Sequence, residues 1–365
     1  MDASTTDTKL FHTFINKQRG GKSQNTKTLI MEHKIADNTD DILNMWKEHF
    51  ETLSTVDLNQ KFDYEKYHLC TIQNDIIEHF EKGKVKIEPV KDAEVEKAIK
   101  NLKIGKSPDI DGITAEHYKH ASTELLPIIV HILNTIVEQL DIPQLLKSGI
   151  LIPVLKKNKD RRNPSNYRGI AVTKILQSIL KGRIDKKIEV IQNPLQRGFT
   201  EAVSSLLAAF ITSEVVLNGL EDNENVLLVT LDAEKAFDKL NHEILFNKLY
   251  HYGIVGDTWI LLRNIYRKMN IQVKWEGELS DKIYIQDIQH GAKLSTSLYK
   301  CYNNVILYST SKSGLGSHFG NIGVASLTCA DDIAILTNSD TELQGILGIV
   351  HHHTQRDLMK INTDK

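Results

Sequence analysis

Three aspartates stand where apolar runs end. Asp232 closes Val226-Leu227-Leu228-Val229-Thr230-Leu231, and Asp331-Asp332 separates Leu327-Thr328-Cys329-Ala330 from Ile333-Ala334-Ile335-Leu336. Carboxylates at the ends of adjacent core strands repel one another and lose hydration, so a fold that collects them needs cations to offset the charge. Two divalent metal ions about 4 Å apart would do so and would stabilise an in-line phosphoryl displacement. The expected chemistry is phosphoryl transfer at a carboxylate-bound metal pair.

The elements that position these acids can be read from periodicity. The run before Asp232 is apolar on both faces, the pattern of a central strand. In the second run Ile333 and Ile335 fall on one face and Ala334 and Leu336 on the other, with a turn at Ala330–Asp332 that lifts both carboxylates to the sheet edge. Helices are expected over 38–81, 92–102, 114–120, 122–140, 173–190, 201–219, 242–252, 257–269, 294–307 and 340–357. Strands are expected at 149–155 and 169–172, and a hairpin pairs 271–275 with 282–288, turning at Glu276-Gly277. Residues 1–35 are polar and read as a mobile or loosely docked start, and Gly314, Gly316, Gly320 and Gly323 mark a connection. Strands mixed with helices in this order predict an α+β sheet domain rather than a doubly wound one.

Composition narrows the partners. The formal net charge is −2, but Lys147–Lys187 holds twelve Lys/Arg against Asp160 and Asp185, a local balance of 12 − 2 = +10. Such a concentration is the footprint of a phosphate-backbone track, or else a solvated basic face. No apolar run approaches 18 residues, so no membrane partner is expected. Cys70, Cys301 and Cys329 form neither a disulfide framework nor a zinc pair, and the start lacks a secretory pattern, so the expected setting is intracellular, nucleus or cytoplasm.

From about residue 95 to Lys365 the chain resembles the reverse transcriptases of non-LTR (LINE-type) retrotransposons. Gly105-Lys106-Ser107-Pro108 with Asp111-Gly112-Ile113 resembles that family's early turn. Ile152-Pro153-Val154-Leu155-Lys156, Asn166-Tyr167-Arg168-Gly169-Ile170 and Gln196-Arg197-Gly198-Phe199 resemble its fingers motifs. Leu231-Asp232 to Asp238 is similar to motif A, His290-Gly291 to Leu298 to motif B, Ala330-Asp331-Asp332 to motif C, and Leu358-Met359-Lys360-Ile361-Asn362 with Lys365 to motif D.

The resemblance implies a right-hand polymerase fold: an N-terminal helical extension (1–85), fingers with interleaved palm helices (86–222), and an antiparallel palm sheet with packed helices (223–365). It implies that Asp232, Asp331 and Asp332, with the Ala233 carbonyl, hold two Mg²⁺ ions, Mn²⁺ being a substitute. Lys156 and Arg168 would clamp the triphosphate, Phe237 would gate the sugar, His290 and Gly291 would shape the nucleotide pocket, and Lys365 would protonate pyrophosphate. The implied partners are an RNA template, a DNA primer and dNTPs. Asp238 reads instead as a helix N-cap, His351-His352-His353 as a solvent-facing run, and Cys329 as core.

The chain departs from the family at three points. His290 stands where glutamine is usual, Asp109-Ile110 where Gly-Pro is common, and Cys329 where Tyr or Phe is common. The sequence also ends before a thumb and shows neither an endonuclease region nor a Cys/His knuckle, so weak grip and low processivity are expected. Two other readings fit the same residues: a catalytically silent RNA-binding remnant, and another palm-type polymerase.

Overall fold

A computed structural model describes residues 26–55, 62–106, 108–109, 111–171, 175–200, 203, 205–285 and 293–362. Lys365, His290 and Gly291 lie outside the described residues. The chain opens with a hairpin, β1 (Leu29–Met31) and β2 (Lys34–Ala36), followed by α1 (Thr39–Ser54) and α2 (Glu65–Glu81). Asn38 caps α1 by accepting from the Asp41 N–H, and the apolar positions Ile42, Met45, Trp46, Phe50 and Leu53 are all buried. The polar start is therefore docked from Leu29 onward, since Leu29 is fully buried. The expected 38–81 helix is two helices.

Next come α3 (Asp92–Lys100), α4 (Ala115–His120), α5 (Ser122–Gln139), α6 (Gln144–Lys147), β3 (Ser148–Leu155), β4 (Tyr167–Ala171), α7 (Ile175–Ile191) and α8 (Ser205–Glu221). β3 pairs antiparallel with β4 and parallel with β6 (Asn270–Trp275), which follows α9 (His242–His251) and α10 (Gly256–Tyr266). The turn after β6 is at Glu276-Gly277, both at positive φ, as a two-residue hairpin with its strands' right-handed twist requires. Its partner is split into β7 (Glu278–Leu279) and β8 (Ile283–Tyr284), each pairing with β6. Trp46 of α1 binds this sheet to the N-terminal helices, its ring 4.9 Å from Tyr167 and 5.2 Å from Trp275.

The second sheet carries the aspartates. It follows α11 (Lys293–Lys312) and a hairpin, β9 (Ser317–Phe319) with β10 (Ile322–Val324), that lies where the glycine-rich stretch reads as a simple connection. β11 (Ser326–Cys329) and β12 (Asp332–Thr337) form a hairpin, and β12 pairs antiparallel with β5 (Leu227–Asp232); α12 (Asp340–Arg356) completes the order. The alternation along β12 holds. Ile333 and Ile335 pack with Ile306 of α11 and Ile346 and Val350 of α12, whereas Leu336 packs with Ala208 and Val215 of α8.

β5 corrects the expectation of a central strand, because it is the edge of the three-stranded sheet. Val229 and Leu231 are covered, but Leu228 is 49% exposed and Thr230 is exposed, since α8 covers the β11–β12 side of that face. The main apolar core joins the N-terminal helices to α3, α5, α7, α9, α10, β6 and the first half of α11, and takes in Leu358 and Met359, while the aspartate sheet packs against two smaller clusters on its two faces. No described helix is long and apolar enough to cross a membrane.

Candidate active site

The site forms where β5 and β12 meet. Asp332 pairs in register with Asp232, and Cys329 pairs with Asp332 across a two-residue loop made by Ala330 and Asp331. Three carboxylates separated by about a hundred residues thus share one corner of the sheet. Ala330 takes a positive φ of 66°, the place in such a tight hairpin usually left to glycine.

Tyr299 of α11 registers the charge of this corner. Burial drives its hydroxyl pKa up, and Asp331, then Asp232 and Asp332, push it further, while Asn303 opposes them by donating an amide hydrogen bond at 2.8 Å. Among the described residues no three His, Cys, Asp or Glu side chains close around a point at metal-ligating distance. The carboxylates are neighbours rather than a finished cage. Cys329 beside them stays a protonated thiol, its pKa raised by burial and by Asp332 and Asp331. The donors at this corner are hard oxygens, which suit a hard divalent cation.

Leu195–Gly198 flank the turn on its outer side. Thr328 N–H donates to the Leu195 carbonyl at 3.0 Å and Arg197 N–H to the Thr328 carbonyl at 2.8 Å, leaving Gly198 against the Ala330 backbone. Phe237 lies within an aromatic stack. Its ring is 4.8 Å from Tyr299, nearly parallel, and 5.7 Å from Phe199, edge-on. Phe237 is 7% exposed, while Phe199 is 40% exposed.

The cations come from the β3–β4 hairpin. Lys156 follows β3 and donates to the Ser165 carbonyl at 3.2 Å, and Arg168 of β4 is exposed, opposite Val154. Lys156 and Lys235, in the turn after Asp232, both lie near enough to His49 for their charges to act on it. That imidazole is pushed down to about 4 by burial, then by the charges of Lys235 and Lys156. Lys235, at φ 51° in the turn behind β5, is a cation that motif spacing alone does not single out. Asn362, which the motif D resemblance includes without assigning it a role, places its amide on Asp232.

The basic stretch 147–187 divides in two. Lys157, Lys159, Arg161, Arg162 and Arg168 are exposed on or beside the hairpin. Arg183 instead forms a two-pronged pair with Glu94 at 2.6 and 2.8 Å and donates to the Glu88 and Pro89 carbonyls, and Lys181 pairs with Asp185. Two minor expectations also change. Asn241, not Asp238, caps α9, and Asp238 sits in the preceding turn. His351 and His352 are exposed, but His353 packs inward and shares a hydrogen bond with Ser309 at 2.8 Å.

The model of the family described as "Reverse transcriptase (RNA-dependent DNA polymerase)" matches residues 154–365, more than half of the chain. The chain is 26% identical over 282 residues to the Retrovirus-related Pol polyprotein from type-1 retrotransposable element R2 of Popillia japonica, covering 76% of this chain and 39% of that protein. It is 22% identical over 352 residues to the Probable RNA-directed DNA polymerase from transposon BS of Drosophila melanogaster, covering 91% and 37%. Among solved structures, telomerase from Candida albicans shares 9% identity at a TM-score of 0.44, over 61% of this chain and 42% of that one. The chain spans about two fifths of the length of the two curated relatives. The family model, which covers more than half of the chain and takes in the aspartate sheet, leads to one conclusion: the chain belongs to the reverse transcriptase family, and the curated proteins it resembles are those of non-LTR retrotransposons.

Proposed function

We propose that this chain is the fingers and palm of an RNA-directed DNA polymerase, joining a dNTP to the 3′-hydroxyl of a DNA primer on an RNA template. The register of Asp332 against Asp232, with Asp331 in the turn beside them, is the observation that carries this reading. The family works with divalent metal ions. We assign two Mg²⁺ ions, replaceable by Mn²⁺, to Asp232, Asp331 and Asp332 with the Ala233 carbonyl. When bound, they supply the positive charge that lowers the pKa of the primer hydroxyl and offsets that of the departing pyrophosphate.

The rest is positioning by the chain's own groups. Arg168 offers a planar fork and Lys156 and Lys235 point charges to the triphosphate. Phe237, braced by Tyr299 and Phe199, forms the floor under the sugar, where a rigid ring has no room for a 2′-hydroxyl. The exposed cations of the β3–β4 hairpin meet nucleic-acid phosphates. Pocket roles for His290 and Gly291 and proton donation by Lys365 complete the assignment. An intracellular setting, nucleus or cytoplasm, goes with these substrates.

Primer extension on an RNA template, comparing wild type with Asp331→Ala plus Asp332→Ala, tests the reading. Synthesis from dNTPs that the double substitution abolishes supports it. Synthesis from rNTPs would instead indicate another palm-type polymerase, and RNA binding without synthesis at any enzyme level would indicate a silent RNA-binding module.

A further inference from the structure

The edge strand β5 has a neighbour beyond its end. The Glu234 N–H donates to the Lys360 carbonyl at 2.8 Å, the Asn362 N–H donates to the Asp232 carbonyl at 2.8 Å, and Ala233 and Ile361 form an antiparallel bridge. On that frame the Asn362 side-chain Nδ2 donates to Asp232 Oδ2 at 3.0 Å. The segment is anchored just upstream. Asp357 is fully buried and paired with Lys248 at 2.5 Å and with Lys66, Tyr302 donates its hydroxyl to the Asp357 carbonyl, and Leu358 and Met359 enter the main core. Lys360 adds an ion pair to Glu234 at 2.8 Å.

A metal-binding carboxylate on a sheet edge needs a partner that fixes its rotamer without competing for the site. A lysine there would compete with the cation for Asp232, and another acid would add repulsion to three carboxylates. A neutral amide N–H fixes one oxygen without adding a charge to the corner. We propose that Asn362 is a positioning residue of the metal centre, holding the Asp232 carboxylate in the orientation from which it binds metal. The inference rests on the polymerase reading, because it presumes cations at this corner.

The test titrates the free chain with Mn²⁺ and follows unbound Mn²⁺ by electron paramagnetic resonance, with Asp232→Asn defining the binding that belongs to the site. Asn362→Ala is expected to weaken that binding by about tenfold. Its melting temperature is expected to stay at the wild-type value, because the backbone hydrogen bond to the Asp232 carbonyl persists. Asn362→His, whose neutral ring N–H can replace the amide at pH 7.5, is expected to recover most of the affinity. Wild-type Mn²⁺ affinity in Asn362→Ala overturns the proposal. So does a weakening that comes with a lower melting temperature, or one that Asn362→His leaves unrepaired. A wild-type chain that binds no Mn²⁺ overturns the polymerase reading, and this proposal falls with it.

Discussion

Gly198 lies so close to Ala330 that a Cβ built on it would stand 1.8 Å from the Ala330 nitrogen and 2.5 Å from its Cα. The obstacle is backbone, which cannot rotate away as a flexible side chain can. Gly198→Ala therefore has to push the Asp331-Asp332 turn outward or shift Leu195–Gly198. Overpacking of this kind costs about 1–3 kcal/mol. Urea denaturation should show that loss, and primer extension by the variant should fall below detection, because the displaced turn carries two of the three aspartates.

Ala330 is expected to respond in the opposite sense. Its φ of 66° is sparsely populated for a residue with a Cβ, and strain of this type is on the order of 1 kcal/mol. Ala330→Gly should raise the denaturation midpoint with an unchanged slope. A midpoint equal to or below that of wild type would show that the turn stores no strain.

His49 sets an acid limit on stability. Unfolded histidine binds its proton near pH 6.5, whereas folded His49 does so only at about 4, because burial and then Lys235 and Lys156 disfavour the charged ring. Between those values the unfolded chain binds more protons. The contribution is therefore complete above about pH 6.5 and is lost as pH falls towards 4, to an extent on the order of 2 kcal/mol. Stability measured from pH 7.5 to 4.5 should fall less steeply in His49→Asn than in wild type.

Arg183 and Arg161 should separate structure from RNA binding. Arg183→Ala removes a charged fork from Glu94 and from two carbonyls, a loss of about 1.5–3 kcal/mol in stability, with the salt dependence of RNA binding unchanged. Arg161 is exposed, and Arg161→Ala should leave stability alone while lowering the slope of log affinity against log salt by about 0.7 on single-stranded RNA. Filter binding across a salt series, beside thermal melts, reads both.

Much of the molecule is local and therefore legible. The strand order around Asp331-Asp332, the opposite faces of Ile333 and Ala334, the Glu276-Gly277 turn and most helix bounds follow from period-2 and period-3.6 patterns within a few residues. The β1–β2 and β9–β10 hairpins escaped that reading, because three-residue strands hold too little alternation to stand out from polar or glycine-rich surroundings.

The amino-acid sequence by itself determined which residue types could form the centre and which short elements would present them: carboxylates at strand ends, cations beside two short strands, and an aromatic five residues after Asp232. Only the tertiary structure decided that β5 is an edge strand, that Asp232 faces Asp332, that Gly198 backs Ala330, and that Lys235 and Asn362 join the site. The reason is sequence distance. Asn362 meets Asp232 across 130 residues, and such a contact is set by how whole layers pack, which no pattern within a single element encodes.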